Sequence, residues 1–423
     1  MSRDATHRAI EAVFRIESAR IIASVARMVR DVGVAEELAQ DALVAALETW
    51  PREGVPGNPA AWLMTTAKNH ALDRLRQRKL HAEREDALTF EIETQLADAQ
   101  PAVDAVLRDD IGDDLLRLVF TACHPVLSAE ARVALTLKLV GGLATDEIAR
   151  AFLVPEATIA QRLVRAKRTL AEARVPFEVP GVAQRRERLA AVLEVIYLVF
   201  NEGYAATSGS SWMRLDLCED ALRLGRMLAE LMPRESEVHG LVALMEIQAS
   251  RSAARIDANG TPVLLLDQNR ARWDRLLIGR GLAALARAEA LGGALGPYAL
   301  QASIAACHAR ALVAEDTDWP RIAALYDALA QAMPSPVVEL NRAVAVAMAF
   351  GPQAGLAIVD AIANDRALAD YHLLQSVRGD LLAKLGRHAE AASEFRRAAD
   401  MTRNERERAL LLERAAASAA RAG

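Results

Sequence analysis

Apolar residues recur along this chain at intervals of three and four. Between Arg8 and Arg30 they fall at Ile10, Val13, Phe14, Ile21, Ile22 and Val25, which predicts a helix with one apolar stripe. Asp31–Gly33 breaks the stripe, and Ala35–Trp50 resumes it as a second amphipathic helix. Pro51–Pro59 holds three prolines and two glycines and reads as a loop. Asn58 and Pro59 then supply a cap and a first-turn proline for a helix through Lys79.

Ala82–Asp110 differs. Glu83, Glu85, Asp86, Glu91, Glu93 and Asp98 crowd it, Pro101 interrupts it and apolar periodicity is weak, so it is expected to be a tether. Periodicity returns with Ile111–Cys123 and Ser128–Leu139, followed by a break at Gly141-Gly142. Thr145 is placed to cap a helix through Phe152. Leu153-Val154-Pro155 is a short turn, and a last helix covers Glu156–Ala173. Beyond Pro176 the chain stays helical in pattern, punctuated at Gly203, Pro233, Gly260–Pro262, Gly292–Pro297, Pro334–Pro336, Gly351-Pro352 and Gly386. Alternating Val, Ile and Thr runs are hard to find, so the expected fold class is all-α.

Composition bounds this picture. At 423 residues the chain is too long for one ordinary core, and two to four domains are expected. With 52% hydrophobic and 25% charged residues it is globular. The most apolar stretch, Leu189–Gly203, is short and carries Glu194, Asn201 and Glu202, so no bilayer span is expected. Met1–Arg20 lacks a secretory core, and the expected location is cytoplasmic with no membrane partner. Cys123, Cys218 and Cys307 are far apart and form no CxxC, so they read as buried small residues, with neither metal site nor disulfide. No cofactor is expected. The net charge of −5 argues against a generally basic nucleic-acid coat and leaves the question to local helices.

Two local helices answer it. In the last helix before Pro176, Ile159, Leu163, Ala166 and Leu170 make one apolar stripe, while Thr158, Gln161, Arg162, Arg165 and Arg168 lie opposite. Preceded by the short helix at Thr145–Phe152, this is a helix-turn-helix pattern, with hydrogen-bonding groups for base edges and cations for phosphates. A solvated basic face on a bundle helix has the same pattern. In the helix Ala61–Lys79, His70, Arg74, Arg78 and the following His81 form a stripe, with Lys68, Arg76 and Lys79 nearby and Asp73 opposing them. Such a cationic end gains phosphate affinity by counterion release. The preceding loop, flanked by Trp50 and Trp62, suits an unstacked base; the competing reading puts both tryptophans in the core.

These segments resemble a known family. AEELAQDALVAAL at Ala35–Leu47 is similar to the sigma region-two helix that docks on the clamp of RNA polymerase. PAAWLMTTAKNHALDRLRQR at Pro59–Arg78 resembles the element that captures flipped non-template bases and the minus-ten duplex. Leu135–Leu170 resembles sigma region four, which reads the minus-thirty-five element. Order and spacing resemble the extracytoplasmic-function (ECF) sigma factors. The resemblance implies polymerase contacts at Glu37, Gln40 and Asp41. It implies DNA contacts at Asn58, Trp62, Lys68, Asn69, Asp73 and Arg74, and at Gln161, Arg162, Arg165 and Lys167, to which the basic faces of the two helices add Arg78, Thr158 and Arg168. Ala160 stands where many relatives carry a base, and Thr65 and Thr66 where bulkier residues are frequent. The implied partners are core RNA polymerase and promoter DNA, as duplex and as melted non-template strand.

The C-terminal half resembles the extension of one sigma subgroup, sometimes numbered forty-two. The carriers are YLVFNEGY at Tyr197–Tyr204, DQNRARWDRLLI at Asp267–Ile278, GPYALQASIAACHA at Gly296–Ala309, TDW at Thr317–Trp319 and SPVVELNRAVAVA at Ser335–Ala347. Gly379, Leu382, Gly386, Ala391, Phe395 and Ala398 fit one tetratricopeptide-like repeat of about 34 residues. The expected architecture is a region-two bundle over residues 1–80, an acidic linker over 81–110, a region-four helix-turn-helix over 111–175 and a TPR-like solenoid over 176–423, a regulatory domain with a protein partner. His239, His308, Glu202 and Asp267 lack the spacing of an active site, so no enzyme is expected. Asn201, Glu202, Tyr204 and Asp267–Arg270 read as inter-helix polar networks. Two rival readings stay open on sequence: a stand-alone helix-turn-helix regulator with a protein-binding repeat domain, and a repeat scaffold whose N-terminal helices merely pack.

Overall fold

The computed structural model describes residues 3–82, 110–152, 154–206, 208–209, 212–257 and 261–422. They fall into two compact units, Met1–Ile196 and Tyr197–Gly423. Of the tether expected over 81–110, residues 83–109 lie outside the described residues, as does Leu153 of the short turn. Among the described residues the expected all-helical pattern forms, apart from one pair of two-residue strands and an isolated bridge between Ile256 and Pro262.

In the first unit, α1 (Arg3–Val29), α2 (Val32–Glu53) and α3 (Pro59–Ala82) pack on one another. Their shared faces are small: Ala23, Ala26, Ala35, Ala39, Ala42, Ala46, Ala67 and Ala71 are fully buried beside Ile21, Leu63 and Leu75. Asp31 starts α2 by accepting the N–H groups of Gly33 at 2.7 Å and Val34 at 3.0 Å, two of the amides a helix start leaves open. The loop after α2 begins at Gly54, not at Pro51. A proline so near a helix end forfeits a single hydrogen bond, and α2 continues to Glu53. Gly54, at φ 91°, ends it, donating its N–H to the Trp50 carbonyl at 2.9 Å. Asn58 caps α3 as its sequence implies, accepting the Ala61 N–H at 3.1 Å.

Among the described residues four more helices follow up to residue 172: α4 (Asp110–Ala122), α5 (Ala129–Leu139), α6 (Thr145–Phe152) and α7 (Glu156–Glu172). Helix α4 lies along α1. Between them Asp114, its side chain 3% exposed, accepts from Arg117 at 2.7 Å and pairs with Arg27 at 3.5 Å. The stripe Ile159, Leu163, Ala166 and Leu170 is buried, as its spacing predicts. The side-chain cap of α6 comes from Glu147, which reaches back to the Ala144 N–H at 2.8 Å; Thr145 is itself the first helical residue. Helix α8 (Val182–Tyr204) begins here: Arg188 donates to the Phe120 carbonyl at 2.8 Å, and Glu194 pairs with Arg132 at 3.1 Å.

The second unit adds further helices in chain order, from α9 (Leu215–Leu231) and α10 (Ser236–Ala249) through α11 (Arg275–Ala290), α12 (Pro297–Arg310), α13 (Trp319–Ala332), α14 (Pro336–Phe350) and α15 (Pro352–Ile362) to α16 (His372–Lys384), α17 (His388–Met401) and α18 (Glu405–Ala422). Three cores follow one another. Ala302 and Ala306 of α12 pack with Leu244, Ile247 and Leu285, while Leu300 and Ile304 of the same helix pack with Ile322 and Leu329. Helix α14 is divided in the same way, Val338 and Ala345 joining the second core, Leu340 and Ala343 the third. A short parallel pair, β1 (Ser208–Gly209) and β2 (Arg403–Asn404), links the start of this unit to its end. Asn404, fully buried, donates its amide to the Ala206 carbonyl at 3.0 Å.

Close helix approach in this unit needs glycine at Gly355. A Cβ there would stand 2.5 Å from both the Ala343 carbonyl oxygen and the Ala347 Cβ. Gly355→Ala is expected to lower stability by about 1–3 kcal/mol through overpacking. Gly279, on an open helix face with nothing near its missing Cβ, should gain about 0.5–1 kcal/mol as Ala. Urea unfolding of the two variants checks both signs.

Candidate nucleic-acid interface

Helix α2 buries Leu38, Ala39, Ala42 and Ala46 and turns Glu37, Gln40, Asp41 and Val44 to solvent. The expected polymerase contacts therefore share one face at i, i+3 and i+4. Val44, 51% exposed, adds an apolar centre to that acidic surface.

The loop 54–58 ends at the exposed Asn58 cap, one turn before Trp62. Trp62 is half-buried and stands edge-on to Trp50, with ring centroids 5.4 Å apart. Trp50 is core; Trp62 packs through one edge and keeps exposed surface. Along the outer side of α3, Asn69, Asp73, Arg74, Gln77 and Arg78 are exposed. Asp73 holds Arg76 at 3.0 Å, so it neutralises that cation and not the Arg74–Arg78 pair, which has no ion pair among the described residues. His70 is half-buried, and the side chains of Lys79 and His81 lie outside the described residues.

Helix α7 presents Thr158, Gln161, Arg165 and Arg168 outward, with Arg162 half-buried. Arg168 is engaged by Glu172 at 2.6 Å. Thr158 and Gln161 stand in the first turns, where a groove-inserted helix meets base edges, and Arg165 lies one turn further along.

Two expected DNA-facing cations face the protein instead. Lys68 is 6% exposed, beside the Arg27–Asp114 pair. Burial, and then Arg27, push its pKa down against the pull of Asp114. It sits one residue before Asn69, on the side of α3 that packs. Lys167 turns away from the basic face and pairs with Glu36 at 2.5 Å; Lys138 approaches the same carboxylate at 3.8 Å, and Gln40 donates to it at 3.1 Å. Glu36 is 4% exposed and is the functional neighbour that sequence reading passed over. The available signal was its place next to Ala35 and Ala39 on the packed stripe, where a carboxylate needs a partner. A second bridge, Arg15 to Glu147 at 3.5 Å, also joins α1 to the helix-turn-helix.

Comparison with known proteins gives the family to which these helices belong. Residues 14–81 match the family described as Sigma-70 region 2, and residues 117–170 match Sigma-70, region 4. The ECF RNA polymerase sigma factor SigK of Mycobacterium tuberculosis (strain ATCC 25618 / H37Rv) is 32% identical over 155 residues, which cover 36% of this chain and 78% of that protein. The chain belongs to the ECF RNA polymerase sigma factors. SigK of Mycobacterium ulcerans (strain Agy99) is 31% identical over 156 residues, with the same coverage of 36% and 78%. Residues 188–289 match a family of unknown function (DUF6596). An uncharacterized protein of Rhizobium meliloti (strain 1021) is 46% identical over 387 residues, 91% of this chain and 90% of its own length, so that likeness extends through the second unit. No solved structure matches. As an ECF sigma factor the protein acts in transcription initiation, with core RNA polymerase and promoter DNA as its partners, and is not an enzyme. Among the described residues there is no group of three or more His, Cys, Asp or Glu that could hold a metal ion, and no helix is long and apolar enough to cross a membrane.

The Glu36–Lys167 pair generates a stability prediction. Lys167→Gln leaves a buried carboxylate short of its nearest cation and is expected to cost about 1–3 kcal/mol. Arg165→Gln, on the exposed side of the same helix, should stay within about 0.5 kcal/mol. Equal unfolding midpoints in urea for the two variants would mean that the pair contributes nothing.

Proposed function

We propose that residues 1–80 act as sigma region 2 and residues 111–175 as region 4, joined by an acidic linker over 81–110, with residues 176–423 a TPR-like helical domain that regulates them. In this reading Glu37, Gln40 and Asp41 meet the polymerase clamp. Asn58, Trp62, Asn69, Asp73, Arg74 and Arg78 meet the minus-ten element, with Trp62 beside a flipped non-template base. Thr158, Gln161, Arg162, Arg165 and Arg168 read the minus-thirty-five duplex. Lys68 supports α3 from inside, and Lys167 becomes available to DNA only once it leaves Glu36. The protein works in the cytoplasm, where the polymerase is. The observation that carries the reading is the pair of separate cationic helix faces, Arg74–Arg78 on α3 and Gln161–Arg165 on α7, each outward and each within a region matching the sigma family.

For the second unit, the α16–α17 hairpin supports the repeat reading. Gly379 lies against Phe395, where a Cβ would come within 2.9 Å of the ring, and Gly386 turns the chain at φ 77°. Three cores strung along successive helices also fit a solenoid, in the subgroup with a tetratricopeptide-like extension. Its role is to hold the promoter-reading helices in check or to receive a protein partner.

Promoter-dependent transcription with purified core polymerase tests the assignment. Replacing Gln161 or Arg165 with Ala is expected to cost about 1–3 kcal/mol for each base edge that is no longer read. Replacing Arg74 and Arg78 should flatten the slope of log K against log salt for holoenzyme on its promoter by about 0.7–0.9 for each phosphate left unneutralised. An unchanged slope removes α3 from the interface. A gel shift with and without core enzyme separates a sigma factor, specific only with core, from a stand-alone regulator. For the regulatory role, truncation is best placed after Ile196, because Arg188 and Glu194 are bonded to the first unit. Unchanged promoter output and unchanged response to growth conditions would discard that role.

A further inference from the structure

The second unit gathers three arginines that have no acidic partner among the described residues. Arg251 donates through Nε to the Tyr204 hydroxyl at 3.0 Å, and again through Nη2. Arg255 lies flat against the same ring, its guanidinium carbon 3.6 Å from the centroid and 5.6 Å from that of Trp212. Trp273 is shared in the same way: Arg251 is 5.7 Å from its centroid and Arg270 is 5.1 Å. Arg251 therefore stands between the other two. Arg255 and Arg270 are more than nine-tenths buried, whereas Arg251 and Trp212 keep solvent access.

The groups bonded to these cations among the described residues are aromatic or neutral. Arg270 spends its terminal nitrogens on the His308 and Ala311 carbonyls, at 2.9 and 3.0 Å, and on the Thr317 hydroxyl at 2.8 Å. Its Nε, the Trp273 Nε1 and the His308 Nδ1 are buried and unpartnered. Burial, reinforced by Arg251 and Arg270, pushes the His308 pKa down to about 4, so this histidine is neutral near pH 7 and adds no charge. The carboxylates acting on Arg270, Glu315 and Asp316, are exposed and form no ion pair with it. Glu202, close by in sequence to Tyr204, is engaged by Arg214. Three guanidinium groups, two of them buried, thus stand close together in a protein whose net charge is −5. Like charges so placed repel, and cation–π contacts offset that repulsion only in part.

We propose that the Arg251–Arg255–Arg270 cluster is a binding site for a small phosphate-bearing ligand. Charge selects the class: a phosphate monoester brings close to two negative charges and three acceptor oxygens, against one charge for a simple carboxylate. Arg251, which keeps solvent access, is the guanidinium that meets such an oxyanion first, with the charge of the two buried arginines behind it. The site lies outside the promoter-reading helices and does not depend on their assignment.

Isothermal titration calorimetry on the full-length protein tests this, with inorganic phosphate, glycerol 3-phosphate and succinate titrated at constant ionic strength. Saturable one-site binding of both phosphates is expected. Arg251→Gln, which leaves the two buried arginines in place, should weaken it at least about tenfold. Arg251→Lys, keeping charge without the fork, should recover part of the loss, and Arg280→Gln on an exposed helix face should match the parent. Affinity should fall from pH 7.5 to 5.5 as the phosphate takes up its second proton, since His308 stays neutral over that range. Absence of saturable phosphate binding, tighter binding of succinate, indifference to Arg251→Gln or stronger binding at pH 5.5 would each overturn the proposal.

Discussion

The structure rests on close helix approach through alanine and glycine. Aromatic residues are only 4% of the chain, and the contact faces of α1, α2 and α3 are dominated by fully buried alanines. Such faces bring backbones near one another but bury little apolar area per residue, so each side chain contributes less than a leucine or phenylalanine would. They also slide easily, because small side chains interdigitate weakly. Something directional has to fix the register.

Buried charge supplies that direction. Asp114 between Arg27 and Arg117 sets α4 against α1; Glu36 with Lys167 and Lys138 sets the helix-turn-helix against α2; Glu246, 2% exposed, with Arg226 at 2.7 Å sets α10 against α9. Each pair gives up hydration to gain geometry, and removing one partner strands the other. The same arithmetic decides which cations stay exposed. Lys68 and Lys167 are consumed by the fold, while Arg74, Arg78 and Arg165 face water.

Periodicity made the helices legible. The stripe from Ile159 to Leu170 named its own buried face, Asn58-Pro59 named a helix start, and Gly386 marked a turn. Local signals failed where a more distant interaction or the position in the helix outweighed them. Pro51 reads as a breaker, yet costs little in a final turn. Lys68 and Lys167 read as members of basic faces, and only three-dimensional packing reveals the carboxylates they meet; Glu36 and Lys167 are far apart in sequence and no helical period links them. The cluster around Arg251 was visible only as fragments, because Tyr204, Arg251, Trp273 and His308 come from four separate segments. The family resemblance supplied the joint order of the two DNA-reading segments, which residue patterns alone left open between a regulator and a sigma factor.

The bond from Asn404 to Ala206 has a consequence for how the chain matures. It spans 198 residues, and its donor lies near the last helix. An open repeat array stiffens progressively as successive hairpins leave the ribosome, but a unit whose last helix is stitched to its first cannot close until synthesis is nearly finished. Helices α1 to α7 belong to a compact unit of their own, Met1–Ile196, which is synthesised well before that. During each round of translation there is thus an interval in which the regions matching sigma regions 2 and 4 exist without a finished second unit.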